Sequence, residues 1–250
     1  MKFLGDYHTH TFASDGRSTL SQNVAAAKKA GLEEIVISDH GFKSVFANMT
    51  AGNFEKQQAF IRAEKQVRVL QGLESNVLNP DGEIDTPDEY IRRLDVLIVG
   101  FHRYLQPKFM FTKFIFTNGF ASRRAKRKLI DANTCAYVQA LEKYPIDILA
   151  HLNHKAPVHA RPIFEKAREV GTYVELNAKH LNAFLPLVKD AIESGVNFIV
   201  GSDAHSHKDI GKFDKIERFI LDNNIPPERV FGLEGNLPKF KDKTDWRKTR

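Results

Sequence analysis

The sequence predicts an α/β fold, a single seven-stranded (β/α) barrel, from three observations. Apolar strand patterns alternate with helix patterns seven times along the chain. Side chains of metal-binding type, namely His8, His10, Asp15, His40, Glu74, His102, His151, Asp203 and His205, stand where predicted strands end. The length of 250 residues suits one large domain of this class.

The elements follow in order. FLGDYHTH (3–10) reads as the first strand, and STLSQNVAAAKKAG (18–31) as a helix with Ser18 as its cap and Gly31 as its terminator. EEIVISDH (33–40) is the second strand, followed by a helix over 54–67. VLQGLES (69–75) is the third, with a turn or hairpin around NPDGEID and a helix from Pro87. LDVLIVGFH (94–102) is the fourth, after which an insertion leads into a long helix ending at Tyr144. IDILAHLNH, TYVELNAKH and NFIVGSDAH supply strands five to seven, with helices over 162–171 and 185–195 between them. A helix over 213–224 precedes a closing segment, NNIPPERVFGL. Runs such as VLIVG and FIVG are apolar throughout, as strands covered on both faces must be.

A composition of 42% hydrophobic and 27% charged residues is that of a globular domain, which excludes disordered and membrane-embedded classes. No apolar run approaches the ~20 residues of a membrane span, and the chain reaches chemistry by His8, leaving no room for a signal peptide. A cytoplasmic protein is therefore expected. The single cysteine, Cys135, rules out an internal disulfide and is expected to be a small buried or half-buried residue of its helix. The net charge of +6 is uneven: residues 103–128 carry eight basic and no acidic side chains, and the tail 239–250 contributes +4, so the remainder carries −6. The basicity belongs to one insertion and one tail of a single domain, which makes it weak evidence for nucleic-acid binding.

Histidine nitrogens and carboxylate oxygens suit Zn²⁺, Mn²⁺ or Fe²⁺. In His8-Thr9-His10, strand alternation places both imidazoles on one face, where they can chelate one ion. An isolated H-x-H says little, because a lone histidine is usually a satisfied core or surface residue. The recurrence of such residues at successive strand ends changes that, since barrel strands deliver them all to one face.

The segments DYHTHTFASDG, ISDHG, GLESNVLNPDGEID, VGFH, AHLNH, GSDAH and PPER resemble the PHP (polymerase and histidinol phosphatase) domains, the free-standing phosphatases above all. That resemblance spans nearly the whole chain and implies a distorted (β/α)7 barrel holding two or three divalent ions. It implies that His8, His10, Glu74 and Asp203 hold one ion, with Glu74 bridging to a second bound by His102 and His151. Asp15, His40 and His205 are implied for a third. Asp15 occupies a position that varies between Asp and His in the family, which implies a third site that is weaker or prefers a harder metal. The implied reaction is hydrolysis of a small phosphomonoester, with hydroxide held between two ions attacking phosphorus in line. His8, His10, Glu74, His102, His151 and Asp203 then act through metal, and no C-x5-R loop or G-x-S-x-G elbow offers a covalent nucleophile.

Other residues are read more openly. Asp6 and Asp39 precede ligands and are candidates to orient them, although strand alternation turns neighbouring side chains apart. Arg17, Lys43, Arg103 and Lys155 lie just beyond ligand motifs and are candidates for substrate phosphate, against a plain reading as solvated charge. Asn177 ends the sixth strand, which has no metal ligand, and is a candidate for substrate contact. His154, His159, His180 and His207 are assigned to the surface or to support of the ligands. The aromatic stretch FMFTKFIFTNGF, ahead of RRAKRK, reads as a lid, a self-association patch, or a membrane or nucleic-acid contact, against a packed loop entering a basic helix. Two alternatives to the monoesterase remain: a PHP-type exonuclease, with no polymerase or separate DNA-binding segment in its favour, and a scaffold binding anionic membrane or nucleic acid through the insertion.

Overall fold

In the computed structural model, which describes residues 1–45 and 49–247, eight parallel strands follow one another in sequence order around a curled sheet. They are β1 (Gly5–Thr9), β2 (Glu34–Ile37), β3 (Arg68–Asn76), β4 (Val96–Gly100), β5 (Ile148–Leu149), β6 (Tyr173–Asn177), β7 (Phe198–Gly201) and β8 (Val230–Phe231). The seven expected strands are all present. The eighth is a two-residue addition inside the expected closing segment, too short to show as a pattern. Thr9 bridges Ala204 in parallel, with the His10 N–H donating to the Ala204 carbonyl at 2.9 Å, so the curl brings β1 against the end of β7. Ile35, Val36, Ile37, Leu97, Ile98, Val99, Val174, Leu176, Ile199 and Val200 are buried in the strand walls, which explains their unbroken apolar runs.

The main helices are α1 (Leu20–Lys29), α2 (Ala51–Ala63), α3 (Asp88–Ile91), α4 (Pro107–Met110), α5 (Lys113–Phe120), α6 (Arg123–Arg127), α7 (Ile130–Lys143), α8 (Ala160–Glu169), α9 (Leu181–Phe184), α10 (Val188–Ser194) and α11 (Asp214–Asp222). Thr19, not Ser18, caps α1: its side chain accepts from the Gln22 N–H while Gln22 reaches back in a capping box. Ser18 instead accepts from the His207 N–H at 2.8 Å and faces His207 Nδ1 at 2.9 Å, tying the α1 entry to the segment after β7. Gly31 lies just past α1 at φ +74°, as its role of terminator requires. Strand five is shorter than its pattern suggests, because the chain turns over after Leu149 to carry His151. Cys135 is exposed, since α7 buries Asn133, Ala136, Tyr137, Ala140 and Leu141, a stripe that passes 135 by.

The insertion folds into three short helices, α4 to α6, rather than a loop entering one long helix. The tail packs back over the amino ends of the strands. Lys243 is buried, with its ammonium 2.7 Å from Asp147 Oδ2 and donating to the Asp95 carbonyl at 2.9 Å. Lys241 donates to Thr172 Oγ1 at 2.8 Å. Part of the tail's charge is thus spent inside the fold; its last residues, 248–250, lie outside the described residues. Among the described residues no helix is long and apolar enough to cross a membrane.

Candidate metal centre

At the opposite end, where the strands finish, all nine predicted ligands meet. His8 and His10 come from the end of β1, His40 from just after β2, and Glu74 from late in β3. His102 follows β4, His151 follows β5, and Asp203 and His205 follow β7. Asp15 arrives on the turn after β1. Asp39 holds that turn, accepting from the Thr11 N–H at 2.7 Å and from the Ser14 and Thr11 hydroxyls. Asp6 acts at a distance from the cluster, accepting from the Ser202 N–H at 2.9 Å and the Gly211 N–H at 3.1 Å, so it fixes the loop that carries Asp203 and His205. His151 and Asp203 leave their strands at φ 30° and 52°, a left-handed conformation that non-glycine residues rarely hold without support.

Glu74 lies at the centre, and its two oxygens face different groups. Oε2 is 3.2 Å from His8 Nε2, 3.6 Å from His10 Nε2 and 3.1 Å from His40 Nδ1. Oε1 is 2.7 Å from His151 Nε2 and 3.2 Å from His102 Nε2. Asp203 Oδ1 lies 3.5 Å from His10 Nε2 and 3.3 Å from His205 Nδ1. Asp15 is 3.5 Å from His40 and 3.2 Å from His205. Three sets have donor atoms within 4.8 Å of one another: His8, His10 and Asp203; His40, Glu74 and His102; and His10, Asp15, His40 and His205.

These separations fit metal ions. Tetrahedral ligands at a ~2.0 Å bond length lie ~3.3 Å apart, the range seen here. The Nε2 atoms of His8 and His10 face each other at 3.1 Å, which two neutral acceptors do not do without a cation or proton between them. Burial alone would raise the Glu74 carboxyl, but the imidazoles around it, His102 and His8 foremost, hold it well below the usual carboxylate range. Asp203 is likewise raised by burial and brought well below its ordinary value by His8, His10 and His205. Burial would lower His40, yet Asp15 and Glu74 pull it up to about 10. Burial and the neighbouring imidazoles push His10 down to about 3 instead, so only part of the cluster takes up positive charge beside its anionic carboxylates.

Glu175 is a buried side chain that the sequence reading passed over. It sits 2.8 Å from His8 Nδ1, accepts from the His151 N–H at 2.8 Å, and turns His8 so that Nε2 faces the centre. The signal was available, because Glu175 precedes Asn177 by two residues and so shares its strand face. Asn177, expected to touch substrate, has its amide committed instead to Glu175 at 3.0 Å and Asp203 at 3.2 Å. Close packing also fixes two glycines: a Cβ on Gly100 would meet His151 Cε1 at 2.7 Å, and one on Gly201 would meet Glu175.

A cavity of about 160 Å³ opens over the cluster, lined in part by Ser44, Tyr104, His154 and His180. His154 and His180 stack at 3.8 Å, with His180 Nε2 3.7 Å from Asp203, so they belong to this site's wall. Lys179, also missed, brings its ammonium to 2.7 Å from His205 Nδ1 and 3.5 Å from Asp203. The other expected cations lie farther out. Arg17 is exposed, Lys43 points over the Phe109 ring, and Arg103 donates to the Tyr104 hydroxyl at 2.6 Å while covering the rings of Tyr104 and Phe120. Lys155 follows His154 at φ 68°. His159 pairs at the surface with Asp131, and His207 with Ser18.

Known proteins resemble the chain over most of its length. A probable phosphatase of Caldanaerobacter subterraneus subsp. tengcongensis is 28% identical over 256 residues, covering 96% of this chain and 91% of its own. One of Shewanella loihica is 30% identical over 244 residues, covering 92% and 89%. Among solved structures, histidinol phosphate phosphatase from Lactococcus lactis, crystallised with zinc, L-histidinol and phosphate, superposes with a TM-score of 0.65 at 16% identity, covering 97% of this chain and 98% of its own. The PHP domain family matches residues 6–179, which carry seven of the nine candidate ligands, and the chain belongs to that family.

Proposed function

We propose that the chain is a metal-dependent phosphatase that hydrolyses a small phosphomonoester with two or three divalent ions, Zn²⁺, Mn²⁺ or Fe²⁺. The observation that carries this is the division of Glu74, with one oxygen among His8, His10 and His40 and the other against His102 and His151. In this reading His8, His10, Glu74 and Asp203 hold one ion, Glu74, His102 and His151 a second, and Asp15, His40 and His205 a third. Ions bound there supply the charge that activates water and neutralises phosphoryl oxygens. Glu175 and Asn177 keep His8 and Asp203 in register. Lys179, paired with Asp203 and facing His205 beside the cluster, offers the nearest cation to a substrate phosphate, with Arg17, Lys43 and Arg103 as further candidates. A volume of about 160 Å³ holds a phosphoryl group and little more, against ~300–1,000 Å³ for pockets that enclose a whole ligand. The leaving group therefore projects through the mouth.

Purified protein assayed with Mn²⁺ or Zn²⁺ against histidinol phosphate, sugar phosphates and nucleoside monophosphates tests the reading. Turnover of at least one ester, abolished by chelation and restored by metal, is expected. Metal-loaded protein that turns over none of them would refute it.

A further inference from the structure

Of the exposed aromatic side chains among the described residues, Tyr104, Phe111, Phe116 and Phe120 lie within one stretch of the insertion, and only Phe12 lies elsewhere. They form one patch. Phe111 and Phe116 have ring centroids 6.4 Å apart, Phe116 and Phe120 5.5 Å, and Phe120 and Tyr104 6.2 Å. Phe111 is 67% exposed and Phe116 47%, and contiguous exposed apolar side chains of this kind mark an interaction surface. The segment that carries the patch, residues 103–128, holds eight cations and no carboxylate. Arg103 lies over two of the rings, and α6, which follows α5 directly in the chain, carries Arg123, Arg124 and Arg127.

We propose that this face docks on an anionic lipid bilayer, the phenylalanines entering the acyl boundary and the cations resting among the headgroups. That pairing of apolar side chains with basic ones is what holds a protein at a membrane surface. A second copy of the chain is a poor occupant, because a two-fold contact would set eight cations against eight. Single-stranded nucleic acid also fits less well. Bases stack on exposed ring faces, and here neighbouring rings turn their faces to one another, 5.5–6.4 Å apart and 32–35° from parallel. Because Tyr104 is shared by the patch and the metal-site cavity, docking brings the cavity mouth close to the bilayer surface.

Co-sedimentation of the full chain with vesicles tests this, using phosphatidylcholine alone or mixed with phosphatidylglycerol. Binding needs no turnover, so it stands or falls apart from the phosphatase reading. The mixed vesicles should carry the protein down at low salt and the neutral ones should not. The triple variant F111S/F116S/F120S and the quadruple variant R123S/R124S/R127S/K128S should each bind roughly tenfold more weakly or less, with thermal unfolding unchanged. Failure to bind the mixed vesicles, unweakened binding by the phenylalanine variant, or displacement of the vesicles by oligo-dT would each overturn the proposal; the last would assign the face to nucleic acid.

Discussion

Glu74 is almost wholly buried and has imidazoles on both its oxygens, so its replacement bears on both ion positions at once. Glu74→Gln keeps the volume but removes the charge and one oxygen donor. Cations ~3.5–4 Å apart would then repel with less to hold them. Hydrolysis should fall by more than the ~10–100-fold typical of losing a supporting partner, and elemental analysis should find at least one ion missing. Asp15 is different. It is partly exposed and contacts His40 and His205 at the rim, so Asp15→Ala should lose the outermost ion alone and keep part of the rate. Full metal content and full rate in Glu74→Gln would show that the carboxylate does not bridge.

At the level of elements, each catalytic strand ends in a ligand while the chain's own tail closes the other end. The Lys243 ammonium is fully buried between Asp147, which precedes β5, and Asp95, which precedes β4. Removing one partner of such a pair leaves an uncompensated charge in a dry site, at a cost of ~3–5 kcal/mol. Lys243→Ala should therefore lower the urea midpoint sharply, whereas the double variant K243M/D147N should recover much of the loss. The metal site lies at the opposite end, so protein that remains folded should keep its metal content and rate. A Lys243→Ala protein as stable as the parent would mean that the tail only lies against the barrel without holding it.

For the whole molecule, the proposed metal centre would also be a fastening. Its candidate ligands come from β1 to β5 and β7 and their loops, so ions bound there would tie most of the barrel together. Ions that bind only the folded state at a hundred times their dissociation constant add ~2.7 kcal/mol, which for a chain of this size raises the melting temperature by ~5–10 °C. Chelation should lower the melting temperature by about that much, and Mn²⁺ or Zn²⁺ should restore it. A melting temperature indifferent to chelator would separate the cluster from metal binding altogether.

The order of strands and the identity of the clustered residues were legible because both are local. A parallel strand buried on two faces must be apolar along its length, and its last residues must point toward the shared end, so VLIVGFH and FIVGSDAH announce wall and ligand together. Residues whose role depends on a partner far along the chain were not legible. Glu175 matters because His8 lies beside it across 167 positions, and Lys243 because Asp147 does across 96. Asn177, Lys179 and His180 share one short stretch, yet only packing turned the first toward Glu175 and Asp203, the second toward Asp203 and His205, and the third toward the cavity. The eighth strand has two residues, too few for any period to register. By itself the sequence determined the α/β alternation and the inventory of metal-binding groups, because periodicity and strand ends are properties of neighbouring residues. Which oxygen of Glu74 faces which imidazole, and which cations turn inward, was decided only by tertiary structure, where side chains distant in sequence compete for the same few ångströms.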